Sequence, residues 1–187
     1  MGSKTVLAVL ALSLVATQAA PAAPSGSLFP LAAGNRWTLR DVERGSSATV
    51  SVAKDRPSGL LLRGFPGTAD LRVRTEGSTI AAWDSGNDRW EPFLKVGAAA
   101  GTKYSVNLSQ ASLWRGVVVT VASRQAIVED ARGKVLRGCV RLTITPPKGL
   151  ADAGIEELTF APGIGLVQVS ELTIAGPRER VLASFEL

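Results

Sequence analysis

Histidine is absent from all 187 residues. That removes Ser-His-Asp and Cys-His catalysis, and with them the commonest zinc ligand. Cysteine is nearly absent: Cys139 stands alone, so no intramolecular disulfide can form and the fold must rest on its core. A redox or metal role would need a second sulfur. Cys139 reads as a structural thiol, in an alternating strand on the face opposite Val140 and beside Arg141. Runs of one charge sign are missing too. The net charge is +5, but the cations are interleaved with acids, as in Arg40-Asp41, Glu43-Arg44, Asp55-Arg56 and Arg178-Glu179-Arg180. That pattern excludes a nucleic-acid binder and leaves at most a weak attraction to anionic surfaces. Helical periodicity is nearly absent beyond the N-terminus: no convincing stretch places apolar residues at i, i+3, i+4 and i+7.

The one long apolar run lies at the N-terminus. Lys4 is followed by an apolar stretch from Thr5 to Ala16 and then by small residues and prolines, the layout of a secretory signal peptide. The stretch is too short to cross a bilayer as a helix, so no transmembrane span is expected in the mature chain. Cleavage is expected after Ala22 or Ala19. The division predicted is a signal peptide over 1–22, a short disordered linker over 23–27, and one domain over 28–187. No cysteine follows the apolar run, so the expectation is a soluble protein without a lipid anchor, periplasmic or extracellular.

What fills the rest of the chain is period-two alternation. Leu71, Val73 and Thr75 share one face while Arg72, Arg74 and Glu76 take the other. Tyr104, Val106 and Leu108 repeat the pattern, as do Val140, Leu142 and Ile144, and then Val181, Ala183, Phe185 and Leu187. Such segments are half-buried strands of an antiparallel sheet. Turn chemistry separates them at 56–59, 84–88, 131–133, 146–149 and 175–177. The fold class predicted is all-β: one domain, a curved antiparallel sheet or half-barrel meander of about ten to twelve strands. One internal echo stands out. "GNRWTL" at 34–39 and "GTKYSV" at 101–106 agree in character position by position, and each follows an alanine-rich approach, which predicts a sheet built from two similar halves.

"FAPGIGLVQVSE" at 160–171 poses the sharpest local question. Pro162 cannot donate to a ladder, and Gly163 after it suits position i+2 of a type II turn. Gly165 permits either a second unusual conformation or a close backbone approach. The stretch opens onto β-branched strand residues and not onto a helix, so it reads as a corner and not as a phosphate cradle. Beyond it Val167 and Val169 differ in parity from Leu172 and Ile174, which predicts a bulge near Ser170–Glu171 if all four are core.

Other motifs carry little chemistry. "SVAK" at 51–54 has the Ser-x-x-Lys spacing of penicillin-recognising enzymes, but a strand would point Ser51 and Lys54 apart. "DSGND" at 84–88 has too few oxygens for calcium and reads as a hairpin turn between Trp83 and Trp90. Glu156 and Glu157 are strand neighbours that point apart, so a solvated edge is expected there. No cofactor or metal is expected.

The pair "FPLAAGNRW" near the mature N-terminus and "FAPGIGLV" near the C-terminus resembles a pair found in uncharacterised bacterial exported proteins, the DUF3108-like and TapB-type families. The matching positions are Phe29, Pro30, Leu31, Gly34, Asn35 and Trp37, then Phe160, Ala161, Pro162, Gly163, Gly165, Leu166 and Val167. The resemblance implies a curved antiparallel sheet on the envelope side of the inner membrane and implies no activity. Many such proteins are lipoproteins, from which this chain departs by lacking the anchor cysteine. The function expected is a non-enzymatic exported domain that binds or scaffolds an envelope protein or amphiphile. The apolar face expected to serve comprises Trp37, Trp83, Trp90, Tyr104 and Trp114. The alternative is a hydrolase that uses two carboxylates on an envelope glycan, with a tryptophan stacked on the sugar.

Overall fold

A computed structural model describes residues 27–55, 59–147 and 153–187. The expected signal peptide over 1–22 and most of the 23–27 linker lie outside the described residues. So do parts of the turns at 56–59 and 146–149. The structure is all-β, with twelve strands in a single sheet and every adjacent pair antiparallel. In chain order they are β1 (Arg36–Asp41), β2 (Ser47–Asp55), β3 (Gly59–Arg63), β4 (Leu71–Glu76), β5 (Thr79–Asp84) and β6 (Arg89–Leu94). There follow β7 (Lys103–Val106), β8 (Val117–Glu129), β9 (Val135–Thr145), β10 (Gly154–Ala161), β11 (Gly165–Thr173) and β12 (Gly176–Glu186). A single 3₁₀ turn, Ser112–Trp114, is the only helical element among the described residues. None of these residues forms a helix long and apolar enough to cross a membrane.

The strand order is β6-β5-β4-β3-β2-β1-β12-β11-β10-β9-β8-β7. The chain therefore meanders outward from β1 to β6, crosses to the opposite edge at β7, and meanders back until β12 pairs with β1. Curling brings the edges together in a nearly closed barrel. No ladder joins β6 to β7, and the seam is stitched by side chains instead. The phenolic oxygen of Tyr104 accepts the Lys95 N–H at 3.0 Å, and Phe93 meets Trp114 edge-on at 4.7 Å.

The two six-stranded halves begin alike. Gly34 has φ +105° and Gly101 has φ +84°. In the first half Asn35 N–H donates to Ala32 O (3.1 Å), Gly34 N–H to Val52 O (2.9 Å), and Val52 N–H to Asn35 O (2.9 Å). In the second half Thr102 donates to Ala99 O (3.1 Å), Gly101 to Val121 O (2.8 Å), and Val121 to Thr102 O (2.9 Å). The echo at 34–39 and 101–106 is thus a shared hook that ties the first strand of each half to its second. Positive φ is needed at both glycines, where a side chain would be strained.

Alternation holds in β4, where Leu71 and Val73 are buried and Arg72 and Arg74 exposed, although Thr75 is exposed as well. It holds in β9 for Val140, Leu142 and Ile144. Cys139, paired with buried Ala126, is as fully buried as Val140 and belongs to the same core, and burial raises its thiol pKa. Two expectations need correction. In β12 the buried residue is Leu182, paired with Leu39, while Val181 pairs with exposed Arg40 and Phe185 with buried Trp37. Ala183 is an extra residue between them, so the four positions 181, 183, 185 and 187 do not share a face. In β11 the extra residue is Val167, and the irregularity near Ser170–Glu171 comes from Glu156 on β10. Ile174, expected in the core, sits at the β11–β12 turn and is 97% exposed.

Candidate ligand-binding cavity

The two distinctive motifs meet at the end of the barrel where β1 begins. Ile164 N–H donates to Ala161 O at 3.2 Å, with Pro162 at the first central position and Gly163 at the second with φ +69°. The stretch is the corner it was read to be. Trp37 Nε1 donates to Ile164 O at 2.5 Å, and the indole lies directly over Gly165, whose φ is +107°. A Cβ at Gly165 would stand 2.6 Å from Nε1. Phe29 closes the end, its ring 4.8 Å from Trp37 and 5.2 Å from Phe160. Gly163 N–H donates to Ser27 O at 3.1 Å, and Asn35 Nδ2 to Pro30 O at 2.8 Å. Phe29, Pro30, Gly34, Asn35, Trp37, Phe160, Pro162, Gly163 and Gly165 therefore build one closed end, with their polar groups spent on each other.

The five aromatics expected to form a ligand face are not brought together. Trp37 and Trp114 are fully buried, in the core at opposite ends of the barrel. Trp83 and Trp90 pack edge-on at 5.5 Å across the β5–β6 hairpin, and the Arg74 guanidinium lies 4.3 Å over Trp90, which puts the pair on the outer, arginine-bearing side. Tyr104 lies in the seam, its pKa pushed up to about 12 by burial, against which the Lys95 N–H acts.

The opposite end holds an open cavity of about 480 Å³. Its walls come from five segments: Leu113 in the 3₁₀ turn, Val117 opening β8, Ile144 and Pro146 closing β9, Ile155 opening β10, and Leu172 closing β11. Arg115 and Glu156 are the two charged residues among the described lining residues. The loop after β7 is held in place by a polar clip. The Asp84 carboxylate, wholly buried, accepts from Gly86 N–H (3.2 Å), Ser109 N–H (3.2 Å), the Ser109 hydroxyl and Asn87 Nδ2 (2.6 Å). Burial by itself would raise the Asp84 pKa; the hydroxyl, amide and backbone donors outweigh it and hold the pKa at about 2. Gln110 Nε2 reaches Trp83 O at 2.6 Å, and Arg115 donates to Ser109 O. Trp114 Nε1 donates to Pro66 O at 2.9 Å, so the 64–70 loop is fastened to the same turn. Sequence reading missed this site. Pro146-Pro147 signalled only a turn, and the other lining residues carry no motif.

Four of the described carboxylates lie along one surface groove. Asp41, Glu129, Asp130 and Glu179 border a shallow groove between the β8–β9 turn and β1/β12. The Arg44 N–H and the Arg178 guanidinium hold Asp41 below the usual carboxylate range. Asp130 accepts from Arg132 N–H and Lys134 N–H, and Glu179 from Gln168. No aromatic residue lines this groove.

No family model matches the chain, and no curated protein matches it. The resemblance to the DUF3108-like and TapB-type families therefore rests on the two motifs alone. Two solved structures are similar in outline. One is a protein of Bacteroides fragilis provisionally described as an exported protein with a YmcC-like fold; identity is 13%, the TM-score 0.43, and the match covers 87% of this chain and all of that one. The other is a protein of Parabacteroides distasonis provisionally described as a lipoprotein, at 12% identity and TM-score 0.38, covering 86% of this chain and 99% of that one.

Proposed function

We propose that the chain is an exported, non-enzymatic β-domain of a bacterial envelope that binds the apolar chain of an amphiphile in the cavity between the 3₁₀ turn and β8–β11. The observation that carries this reading is the cavity itself. At about 480 Å³ it falls within the usual size range of small-molecule sites, and among the described lining residues only Ser112, Arg115 and Glu156 interrupt its apolar character. The leader-like N-terminus supports export, and the lack of histidine supports a non-enzymatic role. At the opposite end the cavity beside Phe29 is smaller, about 260 Å³.

Native mass spectrometry of protein purified from its own host tests the reading, together with displacement of a fluorescent fatty acid. Binding should be lost on Leu113→Arg, which puts a charge on a wall residue that is 39% exposed, so folding should survive the change. A ligand-free monomer that takes up no acyl probe would refute the proposal.

A further inference from the structure

We propose that the mouth of this cavity selects an amphiphile with a zwitterionic head, carrying one anionic and one cationic group. This deepens, and rests on, the amphiphile reading above.

Three features of the rim carry it. First, the rim presents one charge of each sign, Arg115 just before β8 and Glu156 on β10. The two are not an ion pair with each other, and among the described residues Glu156 has no ion-pair partner. Its neighbours Glu157 and Glu171 are matched instead, to Arg141 at 3.5 Å and Arg180 at 3.0 Å. Glu156 is thus the acid of this edge left without an arginine.

Second, Glu156 is placed at the cavity by a bulge. Ile155 pairs with Glu171 and Glu157 with Ser170, so Glu156 is the extra residue. In a regular strand successive side chains take opposite faces, and Ile155 and Glu156 could not both line one cavity. The bulge re-aims one of them, so an apolar contact and a carboxylate lie side by side.

Third, Arg115 is held while keeping donors free. One guanidinium nitrogen donates to Ser109 O, within the loop clipped by Asp84. Five N–H donors belong to an arginine side chain, and a phosphate or carboxylate can take those that remain. A head with both charges answers both groups, whereas a head of one sign leaves the other rim charge unmatched or repelled beside apolar surface.

The experiment uses the full chain and three probes with the same acyl or alkyl tail: a lysophosphatidylethanolamine, a lysophosphatidylglycerol and a primary alkylammonium. Each displaces a fluorescent fatty acid. One extra charge contact at a half-exposed rim predicts that the zwitterion binds about fivefold more tightly than either singly charged probe. Arg115→Gln should weaken both phosphate probes and spare the alkylammonium. Glu156→Gln should weaken the zwitterion and the alkylammonium while tightening the anion. If all three probes bind within twofold of one another, or neither variant changes their ranking, head selection is refuted and chain binding stands. If none binds, both readings fall.

Discussion

Gly165→Ala is the most informative single change at the closed end, because two costs coincide there. The glycine has φ +107°, and its missing Cβ would stand 2.6 Å from Trp37 Nε1 and 2.8 Å from Cε2. The backbone conformation alone costs an alanine about 1–2 kcal/mol. The overlap is with a rigid, fully buried ring, so the indole must shift, at about 1–3 kcal/mol for overpacking and about 1 kcal/mol for the hydrogen bond to Ile164 O. Together these give roughly 3–6 kcal/mol. Gly163→Ala is the control in the same turn: φ is +69°, but nothing lies within 4 Å of its Cβ, so only the backbone cost of about 1–2 kcal/mol applies. The two variants should differ by about 2–4 kcal/mol, a gap of roughly 4–16 °C in melting temperature for a domain of this size. Urea and thermal unfolding followed by near-ultraviolet circular dichroism would measure it. Equal destabilisation of the two variants, or an unchanged tryptophan signal in Gly165→Ala, would refute the contact.

Asp84 predicts acid sensitivity. Its pKa is about 2 when folded against 3.8 for the free group, so its contribution is complete above pH 3.8 and fades as pH falls through about 2. Asp84→Asn should lower stability at pH 7 by about 2 kcal/mol, through lost charge-assisted hydrogen bonds, and flatten the wild-type decline below pH 4; an unchanged acid profile would contradict the clip. Tyr104 is the only tyrosine, so its ionisation can be followed by absorbance at high pH without interference. It should titrate near 12 when folded and near 10 in urea; because the folded pKa is the raised one, its stabilisation is present below pH 10 and lost as pH rises towards 12. A circular permutant opened between Ala99 and Ala100, with Leu187 joined to Ser27 by a flexible linker, should unfold cooperatively, since no ladder crosses the β6–β7 seam; a chain without a cooperative transition would show that the seam connection is essential.

Legibility in the sequence followed how local each constraint was. Alternation placed β4 because its ladders with β3 and β5 carry no irregularity, and Val140 and Leu142 of β9 because their ladder with β10 is regular. The Ala161–Ile164 corner was readable because Pro162 and Gly163 have few other uses. Parity failed in β12, where Ala183 is an extra residue; in β11 Val167 is the extra residue, yet Val167 and Val169 are both buried as the sequence suggests. Bulges follow from pairing across strands, and no single strand records them. Trp37 and Trp114 read as ligand contacts because large aromatics suit either a cavity or a core. Only their partners, Ile164 O and Pro66 O, assign them to the core. The cavity itself draws its walls from five separated segments, each of ordinary composition.

The distribution of conspicuous residues also explains why the motifs said so little about function. Phe29, Pro30, Gly34, Asn35, Trp37, Phe160, Pro162, Gly163 and Gly165 cluster at the end where β1 starts, and there they pack on and hydrogen-bond to one another. Trp37 donates to Ile164 O, Asn35 to Pro30 O, and Gly163 to Ser27 O, so these polar groups are engaged within the end itself. A closed end of this kind fixes the curl of the sheet, and with it the positions of β8–β11 at the other end. The open end needs only apolar walls and two charges, and those requirements are met by common residues such as Leu113, Ile155, Arg115 and Glu156. Substitutions at the closed end should therefore change stability and leave probe selectivity intact in whatever protein still folds. Substitutions at Arg115 and Glu156 should do the reverse, because both side chains are exposed and neither holds strands together.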